Sequence, residues 1–122
     1  MSSIDATGVA DEKYIYLTTI GRRTGNPHTV ELWYAITRGK IYLSHEGAFT
    51  DWMRNINKDG RVGFRIGDIQ FKAGARIVKD GEPFEIGKYA LYLKYYGKAS
   101  EEIIDDWFSE SSVIEISKIK KK

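Results

Sequence analysis

From Tyr14 to Val78 the apolar residues fall mostly on alternate positions, and only between Phe49 and Lys58 does a helical spacing take over. This pattern constrains the fold more than any other feature, because a period of two builds strands and a period near 3.6 builds helices. In Tyr14 to Ile20 nearly every residue is β-branched or aromatic, which reads as a strand buried on both faces or nearly so. His28 to Ile36 places Val30, Leu32, Tyr34 and Ile36 on one face, and a Thr37-Arg38-Gly39 turn leads into a strand over Lys40 to Ser44. Phe49, Trp52, Met53 and Ile56 then mark one side of a helix, with Thr50 as its N-cap, Asp51 in its first turn and Gly60 as its stop. Strands over Arg61 to Ile66 and Ile69 to Val78 follow, joined by Gly67-Asp68 in a tight turn of type II′. The small residues Ala73, Gly74 and Ala75 mark a place where another backbone or a ligand comes close.

Pro83 suits the first turn of a helix that runs to about Tyr96, with Ile86, Tyr89, Ala90 and Leu93 on one face and Gly97 at its end. Ser100 can cap a short third helix whose apolar stripe is Ile103, Ile104, Trp107 and Phe108. Ser112 to Ile119 forms a last strand, and the lysines at its end would guard an exposed edge. The order β-β-β-α-β-β-α-α-β predicts a mainly β fold with α: a six-stranded antiparallel split β-barrel with helices packed outside it.

The 122 residues fit one domain, 1–122, and a hydrophobic content of 42% supplies its core. With no Cys there is neither a disulfide nor a thiolate metal site, and a reducing, cytoplasmic setting is expected. No apolar stretch reaches the roughly 20 residues needed to span a bilayer. A net charge of +2 is too low for a protein that grips duplex nucleic acid.

The connection Gly21-Arg22-Arg23-Thr24-Gly25-Asn26-Pro27 is the first candidate for chemistry. A turn has no structural need of two adjacent arginines, whereas the guanidinium fork matches phosphate oxygens in pairs. Thr24 adds a hydroxyl, and Gly21 and Gly25 let backbone amides approach an anion. A solvated basic hairpin loop is the bland reading of the same residues. His28 stands just after the loop and could add a donor. His45 follows Ser44 at the end of the third strand, but two His and one Glu at these separations do not make a metal site. Trp52 and Asn55 share a helix face, as core and rim or as the backing of a flat heterocycle.

The run Leu17-Thr18-Thr19-Ile20-Gly21-Arg22-Arg23-Thr24-Gly25-Asn26-Pro27-His28-Thr29, followed by Ser44 to Gly47 and then Trp52-Met53-Arg54-Asn55, resembles the deazaflavin-dependent nitroreductase and quinone reductase family. The likeness continues through the hairpin that ends at Val78. It implies an FMN-binding split barrel of the pyridoxamine-phosphate-oxidase type, commonly dimeric, that binds the deazaflavin coenzyme F420. The family pattern gives Arg22, Arg23, Thr24 and Gly25 to the phosphate, with His28 where the family usually has Arg. It puts Ser44 and His45 near the deazaflavin ring as the catalytic candidates, and Trp52 and Asn55 in the cofactor groove. The implied activity is hydride transfer to a small electron acceptor such as a quinone or nitroaromatic. An FMN-binding oxidoreductase of the same barrel type is the alternative, and a non-catalytic cofactor carrier or a small nucleic-acid-binding barrel is a further one.

Overall fold

A computed structural model describes Ile4, residues 8–47 and residues 49–122. Seven strands form a single antiparallel sheet: β1 (Ile15–Ile20), β2 (Pro27–Leu32), β3 (Ala35–Thr37), β4 (Lys40–Glu46), β5 (Arg61–Ile66), β6 (Ile69–Val78) and β7 (Ser111–Lys121). Their spatial order is β2-β1-β5-β6-β7-β4-β3. The two edge strands, β2 and β3, are separated in the chain by Trp33 and Tyr34 alone, so the sheet has to curl until its edges approach. That curl is the split barrel the sequence predicts. Among the described residues three α-helices accompany the sheet: α1 (Asp51–Lys58), α2 (Gly81–Tyr96) and α3 (Glu101–Trp107).

The seventh strand comes from a break in the run expected over His28 to Ile36. At Tyr34 the backbone leaves the ladder: its amide donates to the Tyr95 hydroxyl at 3.0 Å, which itself donates to the Lys13 carbonyl at 2.7 Å. A side chain from α2 thus replaces a strand partner, satisfying a backbone group that burial would otherwise leave costly. The expected alternation breaks here too, for Tyr34 and Ala35 are both buried.

The turns agree with their residues. Arg38 and Gly39 both have positive φ, 55° and 74°, as a two-residue type I′ hairpin needs. At the next hairpin Gly67 alone is positive, at 57°, the II′ pattern. The small residues of β6 meet the backbone of Gly60, where an added Cβ would lie 2.7 Å from the Ala75 carbonyl oxygen.

One core cluster fills the barrel around Leu17, Leu43, Met53, Ile66, Ile114 and Ile116. A second joins α2 and α3 to the sheet through Tyr42, Leu91, Ile104, Phe108 and Val113. Both outer helices sit differently from the expected stripes. α2 buries Gly87, Lys88 and Leu91, while Leu93 is exposed. Gly87 decides this: a Cβ there would come within 2.7 Å of Val113 and 2.9 Å of Tyr42, so the glycine is the point of closest approach. α3 buries Ile104, with Phe108 buried at its C-cap, and leaves Ile103 and Trp107 exposed. Buried Lys88 ties the two helices through Asp105 at 2.6 Å. The lysines ending β7 do not guard an outer edge of the sheet, because β7 lies between β6 and β4.

The segment before β1 is held by side chains of Tyr34 and of α2. The Tyr34 hydroxyl donates to the Val9 carbonyl, and Lys94 Nζ donates to the Glu12 carbonyl at 2.7 Å while lying 3.4 Å from the centre of the Tyr34 ring. Burial pushes the Lys94 ammonium down from 10.5 to about 8, with Asp11 and Glu12 acting in the opposite direction. A lysine with a lowered folded pKa binds fewer protons folded than unfolded between those two values, so stability must rise with pH there. Urea melts from pH 8 to pH 10 are expected to show wild type gaining about 1 kcal/mol over Lys94→Met, after discounting for partial exposure. The neighbouring tyrosines are common to both proteins, so this difference isolates the lysine.

Candidate functional site

The loop after β1 is a closed ring of hydrogen bonds. The Gly21 amide donates to the Asn26 carbonyl at 2.7 Å, the Gly25 amide to the Gly21 carbonyl at 2.8 Å, and the Asn26 amide to Thr24 Oγ1 at 3.2 Å. Gly25 takes a φ of 76°. A Cβ on Gly21 would lie 3.0 Å from His28 Nε2, so the imidazole folds back against the loop.

α1 packs beside this loop and locks half of it. Asn55 is 3% exposed, and its Oδ1 accepts from both the Arg22 amide and Arg22 Nη1, each at 3.1 Å. Its Nδ2 donates to buried Thr19 Oγ1 at 3.1 Å. Arg22 Nη2 reaches Asp51 Oδ1 at 3.2 Å, and Lys58 Nζ donates to the Arg22 carbonyl at 2.7 Å. The guanidinium of Arg22 is therefore engaged within the protein, whereas Arg23 is exposed and its side chain makes no hydrogen bond or ion pair among the described residues.

A cavity of about 570 Å³ opens between loop and helix, lined by Arg22, Arg23, Thr24, His28, Thr50, Asp51, Trp52 and Asn55 among others. Six of the eight cofactor-binding residues expected from the sequence thus meet in one place. Gly25 lines an adjoining depression with Lys58 and Asp59. Thr50 begins α1 but makes no side-chain cap, and its Oγ1 is the one buried side-chain polar atom without a partner among the described residues. An unpaired buried hydroxyl before α1 and an unpaired guanidinium thus line the same cavity.

Ser44 and His45 lie on β4, opposite Val113 and Ser112 of β7, and neither lines this cavity. Neighbouring strand residues face opposite ways. Of the two, His45 packs edge-on against Trp52, with ring centres 6.3 Å apart. Trp52 is itself 7% exposed, which leaves little of its indole to face the cavity. Sequence reasoning missed Thr19, Thr50, Asp51 and Lys58 as parts of the site. The first belongs to a strand pattern, and the other three read as ordinary cap, first-turn and last-turn residues of α1.

Together, the curled sheet and the helices around it define a split-barrel protein. The sequence profile of the F420H(2)-dependent quinone reductases matches residues 5–96, and the chain belongs to that family. It is an oxidoreductase, a deazaflavin-dependent reductase whose cofactor is coenzyme F420. No curated protein matches the sequence. A conserved hypothetical protein from Mycobacterium tuberculosis superposes with a TM-score of 0.79 at 26% identity, covering 99% of this chain and 84% of that one. An F420-H2-dependent reductase superposes at 0.65 with 17% identity, covering 86% and 94%. A candidate pyridoxamine 5′-phosphate oxidase from Listeria innocua superposes at 0.63 with 14% identity, covering 93% and 90%. The last two likenesses establish the fold alone. Among the described residues no helix is long and apolar enough to cross a membrane.

Proposed function

We propose that this protein, working as a homodimer in the cytoplasm, reduces a small electrophile of the quinone or nitroaromatic kind with reduced F420. The observation that carries the reading is the division of labour in the arginine pair. Arg22 is spent on fixing the loop to α1, and Arg23 is left beside an unpaired hydroxyl in the same cavity. When bound, the deazaflavin supplies the hydride; the protein binds, orients and shields.

Arg23, Thr24 and Thr50 would hold the coenzyme phosphate, with His28 as a further donor. Asn55 holds the loop in its binding shape before the coenzyme arrives, which lowers the ordering cost of binding. Reduction of a quinone by a hydride leaves one oxygen to be protonated. His45, set against Trp52, is the group we assign to hold that proton on a ring nitrogen, and Ser44 is the group we assign to hydrogen-bond beside it.

A side-by-side fluorescence titration with F420 and FMN tests the cofactor, followed by single-turnover mixing with a quinone and with a nitroaromatic. Saturation by F420 at micromolar concentration, with FMN at least about tenfold weaker, is the expected outcome. Tighter binding of FMN, or reduced F420 that is not reoxidised by either acceptor, would defeat the proposal.

A further inference from the structure

The cavity between loop and helix holds a carboxylate that an anion site has no evident use for. Of its described lining residues, Arg22 and Arg23 are the permanent cations and Asp51 is the one acid. Asp51 opens α1, where a negative charge suits the helix dipole. Its Oδ1 accepts from Arg22 Nη2 at 3.2 Å, yet its side chain is 84% exposed against 21% for Arg22. An ion pair with so exposed a partner adds little stability. Nor does it alone hold Arg22 in place, since Asn55 Oδ1 already accepts from both the amide and Nη1 of that residue. What Asp51 does change is the charge of the cavity.

Asp51 offsets Arg22, so the net charge facing a ligand is the single positive charge of Arg23. Lys58 does not alter this balance: its ammonium is bonded to the Arg22 carbonyl, and it lines the adjoining depression rather than the cavity. The attraction between a ligand and such a site grows in proportion to the ligand's charge, but the cost of stripping water from the ligand grows with the square. A phosphodiester carries one negative charge and matches Arg23. A phosphomonoester carries about 1.5 to 2 near pH 7. Its second charge finds no free cation in the cavity and has the Asp51 carboxylate for a neighbour.

We propose that Asp51 is a specificity-determining residue of the cofactor site, which admits a phosphodiester such as that of F420 and disfavours a phosphomonoester such as FMN. The inference rests on the reading of Arg23 as the phosphate grip. It assigns the choice between the two cofactors to charge at the loop rather than to the shape of the ring.

FMN and its phosphate methyl ester test this, because the two share one ring and one tail and differ by a single charge. Each is used to displace F420, followed by deazaflavin fluorescence at low salt and pH 8, where imidazoles are neutral and phosphomonoesters doubly charged. Wild type is expected to bind the methyl ester at least about threefold more tightly than FMN. Asp51→Asn should shrink that preference by about threefold, since the amide oxygen can still accept from Arg22 while the charge is gone. Asp51→Glu should retain it, and molar salt should weaken it in wild type. The ratio is measured within each variant, so a general loss of affinity does not mask it. Wild type binding FMN as tightly as the methyl ester, or an unchanged ratio in Asp51→Asn, would overturn the proposal. So would a failure of both flavins to displace F420 even from Asp51→Asn, for the ring would then decide. Arg23→Ala separates the two readings. If it weakens all three ligands while Asp51→Asn leaves the ratio alone, the loop reading stands and this one falls. If it weakens none, both fall.

Discussion

Arg23→Ala is expected to weaken F420 binding by about 10- to 100-fold while leaving the melting temperature unchanged. Charge-assisted hydrogen bonds contribute about 1.5–3 kcal/mol, and a guanidinium can give a phosphate two. Stability should hold because Arg23 is exposed and its side chain has no hydrogen-bonded or ion-paired partner among the described residues. Arg22→Ala is the informative contrast. It strips Asn55 of one of two donors and Asp51 of its ion pair, so thermal stability as well as affinity should fall. Arg23→Lys should lie between wild type and Arg23→Ala, since an ammonium keeps the charge and loses the fork. Calorimetric titration and a thermal melt on the three variants check the pattern. An Arg23→Ala protein that binds F420 as tightly as wild type would mean that the loop does not grip the phosphate.

That contrast shows how far the sequence could be read. Gly21, Thr24 and Gly25 around two arginines suit an anion loop, although a solvated basic turn uses the same residue types. Nothing in the order Arg22-Arg23 says which guanidinium is free, for that depends on Asn55, 33 positions away in the chain, and on the angle at which α1 meets the loop. The same limit applies to the helices. Period and caps place α1, α2 and α3 in the sequence, but the buried face of α2 is set by Gly87 against Tyr42 and Val113, a contact made by missing atoms. Hydrophobicity put Leu93, Ile103 and Trp107 inside, and the structure exposes all three. The strand count slipped for a related reason. Tyr34 continues an alternating pattern and leaves the ladder where the Tyr95 hydroxyl, 61 positions away, accepts from its amide. Strand periods and turn glycines are local and legible. Partners supplied across the fold are not.

Asn55→Ala should carry the largest combined cost, about 2–4 kcal/mol of stability together with most of the coenzyme affinity. The buried amide accepts from the backbone and the guanidinium of Arg22 and donates to Thr19, so its removal leaves those groups unpaired in a site that water reaches poorly. Asn55→Asp separates the two effects. A carboxylate at the same place can still accept both Arg22 donors, and the Thr19 hydroxyl can rotate to donate to it, so much of the stability should return. Its charge, however, neutralises Arg22 and faces the cavity where the phosphate is held, so affinity for F420 should stay low. Urea denaturation read beside an F420 titration would show this split. If Asn55→Asp recovered affinity along with stability, the cavity between loop and helix would not be the phosphate site, and the anion would have to be sought elsewhere on the barrel.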